Sequence, residues 1–238
     1  MKKILFLFIL IFPCIAFAQQ ELSWDFPVKP GSEEWKQLNT YQDKLNAFNL
    51  PQEILERIST EKLAEACLNY PLFSLIFTRN DLQRGYNHVR AIFNGFRELE
   101  LRDDAGKELL KIYKNYEPED FKKTASLAEI GSHVFKFTYI EILLAQFDML
   151  NSLNDNGTRE LLQECERIYS GKKRQIEHYG YYGLKTTALL VARSHREVLS
   201  GTVSRFGEDN FNVFIKNAII TEPAMIDEIL SEYKSKTK

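Results

Sequence analysis

The segment from Ser126 to Leu150 begins with a helix-start signal and continues as a long apolar stretch. Ser126 and Glu129 form the Ser-x-x-Glu pattern of a capping box, in which each side chain accepts a hydrogen bond from the other residue's backbone N–H. The apolar residues that follow are Ile130, Val134, Phe135, Phe137, Ile140, Ile142, Leu143, Leu144, Phe147 and Leu150. They lie on more than one side of a helix, which is typical of a buried central helix. The pattern therefore predicts a helical core element.

Composition and helix-boundary residues extend this prediction to the whole chain. The 238 residues include only 11 glycines and 7 prolines, few for a sandwich or barrel that needs many tight turns. The apolar run 72–77 could also be a strand, but no partner strand is apparent, so we interpret it as helical. The predicted helices cover about 32–48, a short segment from Pro51, 60–70, 72–77, 81–93, 103–116, 126–150, 158–178, 184–200, 208–218 and 223–235. Ten or so helices predict an all-α, multi-helical domain.

The arrangement of these helices stays open between a helical-hairpin (solenoid-like) array and an irregular bundle. Two Asn-Tyr sequences, ending at Tyr70 and Tyr116, lie 46 residues apart, a spacing that suits stacked paired-helix repeats. The Arg-Glu-Leu-Leu sequence at 159–162 follows Lys-Glu-Leu-Leu at 107–110 by 52 residues, which breaks that period.

The first eighteen residues have the three parts of a secretory signal peptide. Two lysines at 2–3 precede the almost wholly apolar run Ile4–Ile15, and Ala-Phe-Ala at 16–18 is a small-x-small cleavage pattern. A retained membrane anchor is the alternative, but the run is shorter than the roughly 20 residues needed to cross a bilayer. The pattern therefore predicts export, with cleavage after Ala18.

Cleavage at this point sets the predicted organisation of the chain. Residues 1–18 are the signal peptide, 19–31 an extended lead-in with two prolines, and 32–238 a single all-helical domain. No other segment of the sequence approaches transmembrane length. Removing Lys2 and Lys3 from the 31 basic residues leaves 29 against 33 acidic residues, a formal charge of −4. That balance gives no electrostatic reason to expect nucleic acid or an anionic membrane as partner.

Cys67 and Cys165 are the cysteines that remain after cleavage, and both lie on apolar helix faces. We interpret them as two buried thiols that act as small hydrophobic side chains. A single disulfide between them is the alternative.

Several large classes of enzyme lack their motifs in this sequence. It contains no Gly-x-Ser-x-Gly elbow, P-loop, dinucleotide glycine signature, His-Glu-x-x-His helix or Cys-x-x-Cys-His haem site. Glu-x-x-His pairs, which aim two metal ligands from one helix face, are also absent. We therefore predict no catalytic residue, no metal site and no cofactor.

Three polar positions on predicted helices are possible exceptions. His195 continues an apolar face, and we interpret it as a core histidine satisfied by a neighbour, with a buried base beside a cavity as the alternative. Glu141 and Asp148 project from nearly the same side of the long helix, about 10 Å apart along its axis, and are interpreted as solvated or salt-bridged acids. His133, four residues after Glu129, is interpreted as structural.

The segment from His178 to Gly183, His-Tyr-Gly-Tyr-Tyr-Gly, concentrates aromatic and flexible residues between two predicted helices. Exposed tyrosines suit carbohydrate stacking or a protein contact, since they bury a flat face and keep a polar end in water. The alternative is a turn whose rings fill the gap between helix ends. The basic triplet at 172–174 is interpreted as a solvated face of the helix that precedes this segment. Thr158 is interpreted as the N-cap of that same helix. The ligand-binding residues predicted here are His178, Tyr179, Tyr181 and Tyr182.

Three phrases of the sequence resemble a known family. Trp-Asp-Phe-Pro-Val-Lys-Pro-Gly-Ser-Glu-Glu-Trp at 24–35, followed by Leu-Asn-Tyr-Pro-Leu at 68–72 and Phe-Asn-Gly-Phe at 93–96, resembles a family of uncharacterised exported proteins of Bacteroidetes-type bacteria. The resemblance covers roughly the first half of the chain after the signal. It implies a Gram-negative periplasm or cell surface and a predominantly helical fold, and it carries no catalytic residue to these positions.

These observations together favour a non-enzymatic, exported helical protein that binds a protein or a surface glycan of the cell envelope. The alternatives are a periplasmic enzyme whose site is assembled from distant residues around His195, and a structural component of the envelope. A cavity that holds His195 with a carboxylate would favour the enzyme. A shallow exposed aromatic patch near Tyr181 and Tyr182 would favour the binding module.

Overall fold

The computed structural model describes residues 22–121 and 125–236, and within them it contains helices and no strand. The predicted signal peptide lies outside the described residues. The first half contains α1 (Glu33–Gln37), α2 (Tyr41–Asn46), α3 (Gln52–Leu55), α4 (Thr60–Leu68), α5 (Leu82–Ile92), α6 (Asn94–Glu100) and α7 (Ala105–Lys114). The second contains α8 (Leu127–Leu144), α9 (Phe147–Asn151), α10 (Asp155–Arg174), α11 (Ile176–Ser194), α12 (Ser200–Phe206), α13 (Glu208–Asn217) and α14 (Ala224–Lys236). Short 3-10 helices cover Phe73–Thr78 and Arg196–Val198. The predicted all-α class is confirmed.

The predicted start of the central helix is confirmed, but its predicted end at Leu150 is wrong. The Ser126 side chain accepts a hydrogen bond from the Glu129 N–H, and the Glu129 carboxylate accepts one from the Ser126 N–H. The helix then ends at Leu144, because Gln146 has an extended backbone and donates from its amide to the Ile142 carbonyl at 2.6 Å. What the sequence presents as one helix is therefore two, α8 and α9.

In two other places the helices differ from the prediction, because side chains of Asp43 and Asn94 hydrogen-bond to the backbone there. The predicted helix over 32–48 is split into α1 and α2, since Thr40 is extended and forms a capping box with Asp43. The helix predicted over 81–93 ends as expected, but a further helix, α6, begins directly after it at Asn94, whose side chain hydrogen-bonds to the backbone of Leu50.

The predictions for α10 and α11 also need correction. Asn154, not Thr158, caps α10, by accepting a hydrogen bond from the Gly157 N–H at 2.8 Å. The predicted connection at 179–183 is confirmed as a break in the helical backbone but is shorter than predicted, because only Gly180 forms the kink, at a φ of 55° and a ψ of −176°, between the two helical parts of α11. A residue with a side chain rarely adopts this backbone conformation, so glycine permits the kink without strain.

The helices form an irregular bundle around α11, which packs against α8, α10, α13 and α14. In a solenoid each repeat contacts only its neighbours, whereas here α5 also packs against α13, far along the chain. The buried hydrophobic residues form one contiguous core that runs from Phe26 to Tyr233. Among the described helices, none combines the length and the apolar composition needed to span a bilayer.

The two cysteines are free and buried, so the interpretation as buried thiols is confirmed and the disulfide alternative is wrong. Burial raises the pKa of both thiols well above the usual range, with Glu100 adding to the effect at Cys67 and Glu141 at Cys165.

Glu232 of α14 caps the start of α12 from outside that helix. Its carboxylate accepts hydrogen bonds from the Gly201 N–H at 2.7 Å and from the N–H and hydroxyl of Thr202 at 2.6 and 2.7 Å. Lys236 donates to the same carboxylate at 2.5 Å. Burial raises the pKa of this group, but the hydrogen bonds together outweigh burial and lower it from 4.5 to about 2.

Because the folded-state pKa of Glu232 lies below the unfolded value, its stabilising contribution is complete above about pH 5 and is lost as the pH falls toward 2. Replacing Glu232 with glutamine is expected to lower the free energy of unfolding at pH 7 by about 2 kcal/mol. The difference from the wild type should shrink as the pH falls through this window. Urea denaturation from pH 7 to pH 3 measures both effects, with the exposed Glu222→Gln as the control. A difference that stays constant over this range would contradict the assignment.

Candidate functional site

The four residues predicted to bind a ligand do not form one site, because two lie on each side of the kink at Gly180 and their side chains have different surroundings. Tyr179 is buried, and its hydroxyl donates to the Pro118 carbonyl at 2.9 Å. The His178 ring lies 4.9 Å from that of Phe121. Tyr181 is 58% exposed and takes part in no ring contact among the described residues. Tyr179 also contacts the Phe121 ring, so His178 and Tyr179 share that partner, whereas Tyr182 belongs to a different and more exposed aromatic surface.

That surface, here called the aromatic platform, consists of Phe77, Phe135, Tyr139 and Tyr182. Phe77 lies on the 3-10 helix Phe73–Thr78, Phe135 and Tyr139 on α8, and Tyr182 on α11. Phe135 is 42% and Tyr182 44% exposed, whereas Phe77 and Tyr139 are half-buried. Three elements that are distant in the sequence therefore present aromatic rings on a common surface.

Phe77 is the centre of the platform. Its ring centroid lies 5.1 Å from that of Phe135, 6.2 Å from Tyr139 and 5.9 Å from Tyr182. Phe135 and Tyr139 are four residues apart on one helix face, and their ring planes are within 19° of parallel. Tyr139 also stacks on the buried Phe73 at 4.3 Å, which anchors the platform to the core.

Lys185 supplies the positive charge of this surface. It lies three residues after Tyr182 on α11, and its Nζ is 4.1 Å from the centroid of the Tyr182 ring. Burial lowers the pKa of Lys185, and the more distant Asp81 carboxylate partly opposes the shift. Burial also raises the pKa of Tyr182 to about 12. At neutral pH the platform therefore has a cation beside uncharged tyrosine hydroxyls.

A buried ion pair holds two of the platform's three elements in place. Lys172 of α10 and Glu141 of α8 are both fully buried, and the Lys172 Nζ lies 2.8 and 2.7 Å from the two carboxylate oxygens. Lys172 also donates to the Gly183 carbonyl of α11 at 2.9 Å. The pair thus links α8 and α11, which carry Phe135, Tyr139 and Tyr182.

The remaining hydrogen-bonding capacity of the pair is satisfied by hydroxyl groups. Tyr113 donates to Glu141 at 2.7 Å, Thr187 donates at 2.7 Å, and Thr186 donates to the second oxygen. Burial lowers the pKa of Lys172, an effect that the Glu141 carboxylate opposes. The interpretation of Lys172 as part of a solvated face is therefore wrong, although Lys173 and Arg174 are exposed and pair with acids on other segments.

The interpretation of Glu141 and Asp148 as salt-bridged or solvated acids is confirmed, but their predicted position on one side of one helix is wrong, because they lie on different helices. Glu141 is buried in the ion pair, and Asp148 is exposed on α9.

Glu129 and His133 of α8 both have hydrogen-bond partners. Glu129 is part of the α8 capping box, and the His133 Nε2 lies 3.0 Å from the Glu117 carbonyl. Burial lowers the pKa of His133. Within the described residues no group of three or more His, Cys, Asp or Glu side chains could hold a metal ion.

His195 lies at the end of α11 and lines a groove of about 670 Å³. The helix ends at Ser194, so His195 is half-buried rather than part of the core. Its Nδ1 is 2.8 Å from the Ser194 carbonyl, and its ring meets the Tyr233 ring edge-on. The groove also contains Asp155 and Glu166, the combination that the enzyme alternative requires.

Two features limit what that groove can do chemically. Glu166 is ion-paired with Lys234 of α14. No serine, threonine or cysteine side chain among the described residues is hydrogen-bonded to the His195 ring, and the nearest carboxylate oxygen, on the exposed Glu197, is 3.9 Å from Nε2. A general base is normally oriented by a partner and lies within hydrogen-bond reach of the group that it activates.

Sequence reasoning missed three of the four platform residues. The sequence pattern groups Phe135 with the apolar core of the long helix and Phe77 with the short apolar run 72–77. The four-residue spacing of Phe135 and Tyr139 could have indicated part of the platform, because it places two large rings on one helix face. Nothing in the local sequence places Phe77 beside them.

The comparisons with known proteins are negative: no protein-family model, no curated protein and no solved structure matches this chain. The resemblance to exported proteins of Bacteroidetes-type bacteria therefore stays a prediction. The class defined by the fold is an all-α, multi-helical protein with an exposed aromatic platform.

Proposed function

We propose that this chain is an exported, non-enzymatic binding module whose aromatic platform holds a carbohydrate of the cell envelope. The observation that carries the proposal is the convergence of Phe77, Phe135, Tyr139 and Tyr182 on one exposed surface. Large rings left partly in water are a feature of recognition surfaces, since they bury much apolar area with little loss of conformational freedom.

The chemistry of the platform suits a sugar ring. A pyranose has an apolar face of C–H groups, which packs on an aromatic ring, and a rim of hydroxyl groups, which needs hydrogen-bond partners. The hydroxyls of Tyr139 and Tyr182 form no hydrogen bond with another described residue, and both side chains are only partly buried. They are therefore free to donate to and accept from a ligand while their rings pack against its face.

The size of the platform favours a sugar over a folded protein. An aromatic side chain buries at most about 150–250 Å², and the rings of Phe135 and Tyr182 are less than half exposed. The platform therefore presents on the order of 250 Å² in total. A stable protein–protein interface buries about 800 Å² on each partner, whereas one or two sugar rings fit the smaller area.

Support for the envelope as the location comes from the first eighteen residues. Their basic, apolar and small-x-small segments follow the order of a secretory signal. The resemblance of the 24–35 phrase to exported bacterial proteins points in the same direction. In an envelope the abundant ligands of suitable size are the sugar units of polysaccharides.

The test is binding of the purified chain from residue 19 onward to an array of neutral and acidic bacterial-type oligosaccharides. We expect saturable binding to at least one of them, and a loss of roughly ten-fold or more in affinity for the double variant Phe135→Ala/Tyr182→Ala. Circular dichroism and thermal denaturation check that the variant is folded.

Two control variants separate the platform from other surfaces. Tyr181→Ala removes an equally large and more exposed ring from the same helix, and His195→Ala removes the histidine of the groove. Both are expected to bind like the wild type. Failure of the wild type to bind any oligosaccharide, or an equal loss in the Tyr181→Ala variant, would overturn the proposal. Loss of binding in His195→Ala alone would move the site to the groove.

A further inference from the structure

We infer that the sugar held by the platform carries a carboxylate, as in a uronic acid, and that Lys185 binds it. This inference rests on the proposed function, because it assigns the chemical class of the ligand at the same surface. It depends on where the Lys185 ammonium lies, on which internal anions are available to it, and on the number of donors around it.

The Lys185 ammonium lies at the platform itself. Its Nζ is 4.1 Å from the centroid of the Tyr182 ring, and Tyr182 is in contact with Phe77 at the centre of the platform. An ammonium on one face of a ring is stabilised by the ring's quadrupole. A sugar packed against these rings would place its substituents within reach of this cation.

No internal anion is positioned to neutralise Lys185. In residues 22–121 and 125–236, Lys185 forms no ion pair and no hydrogen bond with another side chain. Asp81, the carboxylate whose charge raises the pKa of Lys185, is paired with Arg84 instead. Its carboxylate accepts a hydrogen bond from the Arg84 N–H at 2.7 Å and lies 3.3 Å from the Arg84 guanidinium.

Lys185 differs in this respect from two other buried or half-buried cations, which have ion-pair or hydrogen-bond partners. Lys172 is paired with Glu141, and Arg193 donates to the carbonyls of Ala145 and Ile215 at 2.9 and 2.8 Å. A half-buried ammonium without an anion loses hydration and gains only the weaker attraction of the ring. An anionic group on the ligand would complete its coordination, so charge complementarity assigns a negative ligand to this surface.

The number of donors points to a carboxylate rather than a phosphate or a sulfate. Phosphate carries more charge and three acceptor oxygens, and proteins hold it with several donors, such as guanidinium forks or helix N-termini. Where the rings of Phe77 and Tyr182 meet, the platform offers the Lys185 ammonium and the hydroxyls of Tyr139 and Tyr182, whereas Lys136 faces a groove that Tyr139 lines but Phe77, Phe135 and Tyr182 do not. A singly charged carboxylate on an otherwise uncharged sugar ring matches that set.

The test uses trisaccharides of galacturonic, glucuronic and mannuronic acid, each paired with the trisaccharide in which the carboxylates are reduced to hydroxymethyl groups. The two members of a pair share linkage and ring shape and differ in charge. We expect the wild type to bind at least one acidic member about ten-fold more tightly than its neutral partner. Isothermal titration of the chain from residue 19 onward measures this ratio.

Lys185→Met is expected to remove the preference, so that both members of the pair bind with the weaker affinity. Lys185→Arg should retain much of it, because the charge remains. The control is Lys107→Met on α7, an exposed lysine away from the platform, which should leave the ratio unchanged.

The outcomes separate this inference from the proposed function. Equal binding of acidic and neutral partners, with both lost in Phe135→Ala/Tyr182→Ala, would overturn the carboxylate assignment and support the platform. An acidic preference that survives in Lys185→Met would overturn the role of Lys185. Absence of binding to every member of every pair and to the wider array would overturn both.

Discussion

Replacing Lys172 with methionine is expected to lower the free energy of unfolding by about 3–5 kcal/mol. The variant leaves the Glu141 carboxylate fully buried without its cation. Three hydroxyl donors remain around Glu141, from Tyr113, Thr186 and Thr187. These hydrogen bonds do not neutralise a charge that has been removed from water, so the folded state loses much more than one hydrogen bond.

Urea denaturation at pH 7, followed by circular dichroism, measures this loss. The matched control is Lys173→Met, one residue along the same helix, whose ion pair with Asp227 is about half exposed. An exposed pair contributes little, so this variant should lose less than about 1 kcal/mol. A loss in Lys172→Met no larger than in Lys173→Met would contradict the buried-pair assignment.

A double variant distinguishes the uncompensated charge from the lost packing of the lysine side chain. Glu141→Leu/Lys172→Met removes both charges and retains apolar volume, so we expect it to be more stable than Lys172→Met alone. Well-packed apolar replacements of a buried pair are often neutral or stabilising. A double variant less stable than Lys172→Met would show that the hydrogen bonds from Tyr113, Thr186 and Thr187 to Glu141, rather than the uncompensated charge, dominate at this position.

The second large effect is expected for Gly85→Ala, at the contact between α5 and the 3-10 helix that carries Phe77. A Cβ added at Gly85 would lie 1.9 Å from the Ile76 carbonyl oxygen and 2.6 Å from its carbon. These are backbone atoms, so no side-chain rotation relieves the overlap, and the two helices must separate. We expect a loss of about 3 kcal/mol in the free energy of unfolding.

This substitution also tests how the platform is positioned. Moving the Phe73–Thr78 helix displaces Phe77, so oligosaccharide binding should weaken under conditions in which the variant is still folded. Gly131→Ala on α8 is the matched control, since its added Cβ has no atom within 4 Å. That variant should gain roughly 0.5–1 kcal/mol from helix propensity. Equal stability of the two alanine variants would contradict the close approach at Gly85.

Local signals were sufficient where the partners of a residue lie within one helical turn. The Ser126 and Glu129 capping box needs only residues three positions apart, and both of its hydrogen bonds form. The same reasoning failed at Gln146, whose amide group is hydrogen-bonded to Gln83 at a distance of 63 residues along the chain. Tertiary hydrogen bonds of this kind end helices that local patterns would continue.

The four predicted ligand-binding residues illustrate the same limit at the site. Interpreted as a loop, residues 178–183 would expose several rings together. In the structure the break is confined to the kink at Gly180, and the helical parts on either side place Tyr179 in the core and Tyr182 at the surface. Whether a tyrosine near a glycine is buried or exposed depends on the helices that pack around it. A segment of six residues carries no information about that packing.

The amino-acid sequence by itself determined the all-α class, the start of the central helix and the burial of Cys67 and Cys165, because helix caps and apolar periodicity act over a few residues. Only the tertiary structure decided the irregular bundle, the buried pair of Lys172 with Glu141, and the aromatic platform. Their members come from different helices, and their contacts depend on how those helices pack. Burial then selects which charges must be paired and which rings stay in water.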